Sequence, residues 1–185
     1  MDENAIYVAG CFDGDCKAEL ESIRQESEQQ GIVLYCRDLT GQIFHSAIDF
    51  IDLDQIAVSY EMVRNLINSG TYDLLKFWFF RLFSAVRGRR KSRVPFTIAI
   101  SGVPTVYGRE NIKIKISDEL CDDEKKYVID RTFDLAERIA DNQVALMKQG
   151  RFQSVFGGRI FFYDPQTSSL SEIDVDEEIR KKTER

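Results

Sequence analysis

The sequence predicts an α/β (or α+β) protein with a mixed β-sheet packed by helices. Three observations support this class. Short β-branched runs alternate with long helical patterns, a strand–helix–strand unit opens the chain, and 43% of the 185 residues are hydrophobic, enough for a full core. We expect a single α/β domain over residues 1–165 and a polar, charged tail over 166–185.

The first elements form a βαβ start. An apolar run at 5–9 predicts a strand that ends at Gly10. Residues 15–30 predict a helix, capped by Asp13 or Asp15. The nearly continuous apolar run at 32–36 predicts a second strand that is buried on both faces. A strand, a helix and a strand within 36 residues indicate two parallel strands joined by a crossover.

The region after this unit is less regular. Residues 40–54 fit either a helix or a loop. Apolar residues then recur every three or four positions from Ile56 to Ile67, and this spacing predicts a helix.

The most distinctive segment is an aromatic helix predicted over residues 72–86. Its apolar residues surround the helix, and only Asp73, Lys76 and Arg81 interrupt them. We expect it to be the central helix of the core. Two alternatives stay open: part of it forms an oligomer or partner interface, or it lies at a membrane surface.

Two strands, a helix and a last strand follow. Residues 96–100 and 112–116 predict a central β-hairpin with Lys113 and Lys115 on a wet face. Residues 122–147 predict a long C-terminal helix with acidic residues at its start, and 159–163 a final strand.

The charges are segregated along the chain. The net charge is −6, from 25 basic and 31 acidic residues. Residues 1–62 carry 3 basic and 13 acidic residues, whereas 63–115 carry 11 basic and 2 acidic. The acidic total argues against a general affinity for nucleic acid, because binding to phosphates requires cations. The basic middle can instead meet the acidic ends or an acidic protein.

Compartment and redox state follow from the amino terminus and the cysteines. The opening MDENAIYVAG shows no secretory signal, and no stretch approaches the roughly 20 apolar residues of a membrane span. Cysteines 11, 16, 36 and 121 fit neither a redox pair nor a zinc site. We therefore expect a cytoplasmic protein with free, mostly buried thiols.

The sequence contains no recognisable catalytic constellation. It lacks a phosphate loop, a dinucleotide fingerprint and a nucleophile elbow. His45 is the single histidine, and we interpret it as incidental. The cluster of Asp49, Asp52 and Asp54 is interpreted as solvated. We expect no catalytic residue, no metal and no cofactor.

A basic cluster follows the aromatic helix and is the predicted interaction surface. It comprises Arg87, Arg89, Arg90, Lys91 and Arg93. One interpretation is a solvated turn at a helix carboxyl terminus, where cations are favoured. The other is a binding site for an acidic protein, a phosphate or a nucleic acid. Few aromatic residues interleave with these cations, so a base-stacking platform is not indicated.

The middle of the chain resembles a known family in its layout. Leu66–Ile67–Asn68–Ser69–Gly70 leads to a helix that ends in Phe83–Ser84–Ala85–Val86–Arg87, and the strands at 96–100 and 112–116 follow. This layout, within residues 5–140, is similar to the effector-associated adaptor domains of bacterial conflict systems. The resemblance implies a bacterial protein that binds protein partners without catalysis, and it carries over no catalytic residue.

We therefore expect a non-catalytic adaptor that binds another protein, with a homo-oligomer as a further option. One alternative is an enzyme or small-ligand domain, with a pocket at the carboxyl edge of the sheet lined by Asp13, Asp15, Arg37 and Asp38. Another is a membrane-surface protein attached through residues 72–93.

Overall fold

The computed structural model describes residues 4–40, 54–87, 96–117, 120–148 and 157–183. Within them the chain forms a seven-stranded mixed sheet and five helices, which confirms the α/β class. In chain order the elements are β1 (Ala5–Gly10), α1 (Gly14–Gln29), β2 (Val33–Asp38), β3 (Gln55–Ser59), α2 (Tyr60–Asn68), α3 (Tyr72–Arg87), β4 (Phe96–Thr105), β5 (Gly108–Ile116), α4 (Asp122–Ala140), β6 (Arg159–Asp164), β7 (Ser169–Glu172) and α5 (Val175–Thr183).

The sheet is built from three parallel strand pairs placed side by side, with β7 added at one edge. The strand order is β2-β1-β3-β4-β5-β6-β7. The pairs β1–β2, β3–β4 and β5–β6 are parallel, whereas β1–β3, β4–β5 and β6–β7 are antiparallel. Each parallel pair has helical chain between its two strands, as parallel strands require. The predicted βαβ start is the first of these units.

The two faces of the sheet are covered differently. Alternate residues of the strands pack with α1, α2, α3 and α4 into one large core, and we call this side the helix face. On the opposite side, the α5 face, Val175 of α5 packs on Ile160 of β6 in a small second cluster. The aromatic helix α3 lies in the large core against both α1 and α4, and edge-to-face aromatic contacts connect it to α4 and β4.

The predicted helix over residues 56–67 is partly wrong, because its first residues form β3. Gln55–Ser59 pairs with β1 on one side and with β4 on the other. Ser59 ends the strand and caps α2, since its hydroxyl accepts a hydrogen bond from the backbone N–H of Met62 at 3.1 Å. The apolar residues of the strand and of the helix after it together recur every three or four positions, which is the spacing of a single helix. Of the ambiguous region 40–54, residues 41–53 lie outside the described part of the chain.

The C-terminal helix is shorter than predicted. α4 begins at Asp122 as expected but ends at Ala140 instead of 147. Asn142 adopts a left-handed conformation with φ 56°, and the N–H of Gln143 donates to the carbonyl of Arg138 at 2.8 Å. This is a helix-terminating turn, for which asparagine is a common substitute for glycine.

The predicted tail over residues 166–185 contains ordered secondary structure. Asp164 accepts a hydrogen bond from the N–H of Gln166 at 2.9 Å, and the turn that follows pairs β7 with β6. Asp174 then caps α5 by accepting from the N–H of Glu177 at 3.0 Å. Short side chain-to-backbone hydrogen bonds therefore organise a segment for which the sequence predicts only a polar, charged tail.

The predicted central β-hairpin is confirmed, but the prediction that Lys115 faces solvent is wrong. Lys115 is 1% exposed, and its ammonium group donates to the hydroxyl of Thr97 at 2.9 Å on the α5 face. The neighbouring strand β6, which the hairpin pattern could not include, places Phe162 beside Lys115.

No disulfide links the four cysteines, and no helix among the described residues is long and apolar enough to cross a membrane. The expectation of mostly buried thiols is wrong, since only Cys16 is buried while Cys36 and Cys121 are exposed.

Candidate functional site

Helix α3 is core, as predicted, yet one of its aromatic residues faces solvent. Trp78, Phe79 and Phe83 are buried, whereas Phe77 is 52% exposed. Both neighbours of α3 contribute to this division. The helix α1 packs against it on one side, and α4 packs on the other. We take this half-exposed ring, together with the groove beside it, as the candidate contact surface.

Phe77 lies in a shallow groove between α3 and α4. The groove has a volume of about 290 Å³. We call it the Phe77 groove, and its lining residues are Asp73, Lys76, Phe77, Phe80, Lys126, Ile129 and Asp130. The floor is aromatic and aliphatic, and the rim carries charges of both signs.

The charges of the rim are held in fixed pairs. The ammonium group of Lys76 lies 2.9 Å from a carboxylate oxygen of Asp73 and 2.9 Å from one of Asp130. The hydrogen bonds that Lys76 donates to Asp73, the largest cause, and to Asp130 raise the pKa of Lys76 above its usual value. Lys126 lies with its ammonium group 4.9 Å from the ring centroid of Phe80, a cation–π contact. The rim is therefore ordered before any ligand arrives.

The chemistry of the groove suits binding rather than reaction. A general base needs a pKa near the working pH. Lys76 is shifted away from neutrality by its carboxylate partners, and burial raises the pKa of the nearby Tyr72 phenol. The described residues of the lining include no cysteine, serine or histidine that could act as a nucleophile or proton carrier.

A half-buried arginine on α3, one helical turn after Phe77, anchors the helix on α1. Arg81 donates to Glu19 at 2.7 Å and to Glu26 at 2.6 Å, both on α1. The hydrogen bond from Arg81 lowers the pKa of Glu26. The indole N–H of Trp78 makes no hydrogen bond, but it lies near enough to Glu26 to help lower the pKa of that carboxyl group. Arg81 thus anchors α3 on α1, and its guanidinium group lies 5.4 Å from the ring centroid of Phe77, a side chain that is 52% exposed.

The predicted basic surface lies almost wholly outside the described residues. Helix α3 ends at Arg87, of which only the backbone is described. The other members of the cluster, Arg89, Arg90, Lys91 and Arg93, fall in the undescribed segment 88–95. The cluster therefore begins where α3 ends, and its predicted role as an interaction surface stays a prediction.

The structure separates the residues of the predicted carboxyl-edge pocket. Asp13 caps α1 by accepting from the N–H of Cys16 at 2.8 Å, and Asp15 is exposed in the first turn. Arg37 and Asp38 are adjacent on β2 and so point to opposite faces of the sheet. A cavity of about 250 Å³ between α1 and β2 is lined by Asp38 but by none of the other three.

Asp38 has a structural role at this edge. One of its carboxylate oxygens accepts from the N–H groups of Thr40 at 2.9 Å and Phe12 at 3.4 Å, and the other lies 2.9 Å from the ammonium group of Lys17. Contacts with Thr40, followed by the one with Lys17, hold the pKa of Asp38 far below its usual range. A carboxylate held this firmly in its charged form connects the loop after β1 to the end of β2 and is a poor proton acceptor.

The remaining candidates give no metal site in the described part of the chain. His45, Asp49 and Asp52 lie outside that part, whereas Asp54 begins the approach to β3. The described residues contain no group of three or more side chains that could hold a metal ion.

Sequence reasoning missed the strongest buried ion cluster. Arg159 on β6 is fully buried and contacts Glu110 on β5 and Glu172 on β7, the latter at 2.7 Å. It also donates to the carbonyl of Met147 at 2.8 Å. We call these three charged side chains the Arg159 cluster. It connects three strands and the segment after α4, which is a structural rather than a catalytic arrangement.

Comparison with known protein families, curated proteins and solved structures gives no match. The residues and their geometry are thus the basis for any function assigned to the chain.

Proposed function

We propose that the chain is a non-catalytic protein-interaction domain, an adaptor of the cytosol, and that the Phe77 groove receives its partner. The observation that carries the proposal is the half-exposed ring of Phe77 on a helix whose other large apolar side chains pack inward. The four free cysteines fit a reducing compartment.

The groove offers the kind of anchor that dominates protein interfaces. Full burial of an aromatic or aliphatic side chain contributes about 1.5–3 kcal/mol. Binding energy concentrates on such anchors when polar groups surround them and exclude water. The paired rim charges of Lys76 and Asp130 supply that surround without requiring a counter-charge from the partner.

The charge of the region indicates what the partner carries. Residues 63–115 hold 11 basic and 2 acidic side chains. The basic cluster starts ten residues after Phe77, which is about 15 Å along a helix at roughly 1.5 Å per residue. We infer a protein partner whose contacting segment carries an apolar anchor and several acidic side chains.

Phe77→Asp tests the groove, with Val106→Asp as its matched control. Val106 is also an exposed apolar residue, at 69%, but lies in the turn between β4 and β5. Proximity labelling in the native host is compared among the wild type and both variants. A protein labelled by the wild type and by Val106→Asp but lost with Phe77→Asp supports the proposal. The same labelled set for all three proteins, or none, contradicts it.

Charge reversal tests the acidic character of the partner. Arg89→Glu, Arg90→Glu and Arg93→Glu together should weaken binding of the protein so identified and leave the thermal midpoint nearly unchanged. Exposed Lys148 and Arg180, reversed as a control, should leave binding within twofold. A large fall in the thermal midpoint would show that the cluster serves the fold instead.

Two further measurements separate the alternatives. Flotation with vesicles of anionic lipid at low salt reports attachment through residues 72–93, and the proposal expects none. A hydrolase and transferase screen with the full chain should give no turnover. Measurable turnover without any labelled partner would favour the enzyme alternative.

A further inference from the structure

β2 forms one edge of the sheet and is exposed along most of its length. The strand order of the sheet places β1 on one side of β2 and no described strand on the other. Val33 and Tyr35 are 39% and 45% exposed, and Cys36, Arg37 and Asp38 are also exposed. The ring of Tyr35 stacks on that of Tyr7 at 5.0 Å, which keeps it fixed on the α5 face.

The hydrogen bonds at both ends of β2 show which of its backbone groups point outward. The N–H of Val33 donates to Asn4 at 3.0 Å, and that of Leu39 donates to Gly10 at 2.7 Å. In a parallel pair, alternate residues direct both backbone groups to the neighbour. The odd-numbered residues therefore face β1, and Leu34, Cys36 and Asp38 direct their N–H and C=O groups away from the sheet.

Over its first four residues this edge lacks the usual protection against pairing, and its two charged residues, Arg37 and Asp38, stand at the end of the strand. Exposed edge strands are commonly guarded by proline, bulges or charged residues. The pairing of β2 with β1 is continuous over six residues without a bulge. Val33–Leu34–Tyr35–Cys36 contains no charge, proline or glycine.

We propose that β2 pairs antiparallel with β2 of a second copy of this chain, around a two-fold axis through Cys36. Cys36 then exchanges two hydrogen bonds with its own counterpart, and Leu34 exchanges two with Asp38 of the second copy. All the outward backbone groups of β2 are used. This surface is separate from the Phe77 groove, so the inference does not depend on the proposed partner.

Neighbouring registers are excluded by bonds already made. An axis through Tyr35 would place Asp38 opposite Ile32, whose N–H already donates to Ser27 at 2.9 Å. An axis through Arg37 would place Leu34 opposite Thr40, whose N–H already donates to the side chain of Asp38 at 2.9 Å. The register through Cys36 is the one in which no group is used twice.

The charges on α1 are complementary around the same axis. Lys17, Glu21, Arg24 and Glu28 form one helical stripe of alternating sign, in which Arg24 is half-buried and lies 3.2 Å from a carboxylate oxygen of Glu21. Cys36 lies beside Glu21 and Arg24, both of which influence its thiol. An axis there runs the two α1 helices in opposite directions, so that Glu21 faces Arg24 of the second copy and Lys17 faces Glu28.

The α5 face gives a further favourable pair. In this register Tyr35 lies directly opposite Arg37 of the second copy, on the same side of the sheet. Directly opposed side chains in an antiparallel pair are about 4.5–5.5 Å apart at Cβ. That distance allows the guanidinium group to contact the tyrosine ring.

Sedimentation of the full chain, with Cys36→Pro and Cys36→Ser, tests the proposal. Proline at an outward-facing position removes an edge donor and keeps every bond to β1, whereas serine keeps the donor. We expect the wild type and Cys36→Ser to have twice the mass of the chain, and Cys36→Pro to dissociate at least tenfold more readily. A monomeric wild type at 100 µM, or a dimer indifferent to Cys36→Pro, would overturn the inference.

Two additional variants keep the test decisive if Cys36→Pro does not fold. Tyr35→Lys sets a cation opposite Arg37 of the second copy and should also weaken the dimer at least tenfold. Phe77→Asp should leave the dimer intact, which separates this surface from the groove. A dimer unchanged by Tyr35→Lys would contradict the register.

Cross-linking supplies an independent readout. Paired residues of this type have Cα atoms about 5.5 Å apart, within the range that a disulfide spans. Because partial burial raises the pKa of the Cys36 thiol, oxidation is carried out with copper phenanthroline at alkaline pH. A linked dimer should form with Cys121→Ser and be absent with Cys36→Ser. The reverse pattern would contradict the proposed axis.

Discussion

Replacing Arg159 with methionine should destabilise the protein more than any exposed arginine does. Arg159 is fully buried, and the carboxylates of Glu110 and Glu172 are only 10% and 6% exposed. Arg159→Met leaves both carboxylates without a counter-charge in a dry site. Removing one partner of a buried ion pair costs about 3–5 kcal/mol, because the other charge stays buried and uncompensated. For a domain of this size the thermal midpoint should fall by about 6–20 °C.

Urea unfolding followed by tryptophan emission measures this loss, since Trp78 is the single tryptophan. Arg131→Met is the matched control, because Arg131 is 50% exposed and pairs with Asp134 at 3.5 Å. An exposed pair of that kind contributes at most about 1 kcal/mol.

Rescue separates charge from packing. Glu110→Gln and Glu172→Gln, added to Arg159→Met, remove the uncompensated charges and should recover at least half of the loss. A loss below about 1 kcal/mol for Arg159→Met, or no recovery in the triple variant, would refute the assignment of Arg159 as a buried structural cation.

Three further predictions concern Gly10, Arg81 and Trp78. Gly10→Ala should destabilise the protein by about 1–3 kcal/mol in a urea titration, because the added methyl group would lie 2.7 Å from the nearest side-chain carbon. Gly14→Ala is the control: open space surrounds Gly14, so this variant should be neutral or stabilising. Arg81→Met should destabilise the protein more at pH 7 than at pH 3. Because the pKa of Glu26 is lowered in the folded protein, the pair of Glu26 with Arg81 stabilises the fold above the usual glutamate pKa of about 4.3. This contribution is lost as the pH falls and the carboxylate of Glu26 is protonated. Equal losses at both pH values would exclude that pairing. Because Trp78 is 1% exposed, its fluorescence should have a short-wavelength maximum and should resist quenching by iodide. Strong quenching would contradict its burial. Trp78→Ala should lower the free energy of unfolding by about 3–5 kcal/mol, measured by thermal unfolding.

Elements with a local cause were predictable from the sequence. The βαβ start follows from two apolar runs and the cap at Asp13, and α3 follows from a helical segment that cannot remain in water. The isoleucines of β5 show the period of a strand, and their burial on the helix face agrees. In each case the decisive interactions lie within a few residues of one another.

The errors arise where distant chain segments decide. Gln55–Ser59 is a strand because β1 and β4 flank it, and Lys115 is buried because β6 pairs beside it. The groove was hidden for the same reason: a helix apolar on all sides does not indicate that α1 and α4 leave Phe77 exposed. The Arg159 cluster joins residues 49 and 13 positions apart, a pairing that no local pattern contains.

The division of the sheet into three parallel pairs has a consequence for synthesis on the ribosome. Each pair comes from one continuous stretch of chain, so a nascent polypeptide can complete β1–α1–β2 before β3 emerges. Domains and subdomains that emerge first generally fold first during translation. If the sheet grows by adding one finished strand–helix–strand unit at a time, no strand waits long for a partner from a distant part of the chain. The aggregation-prone edges of the growing sheet are then exposed for a shorter time.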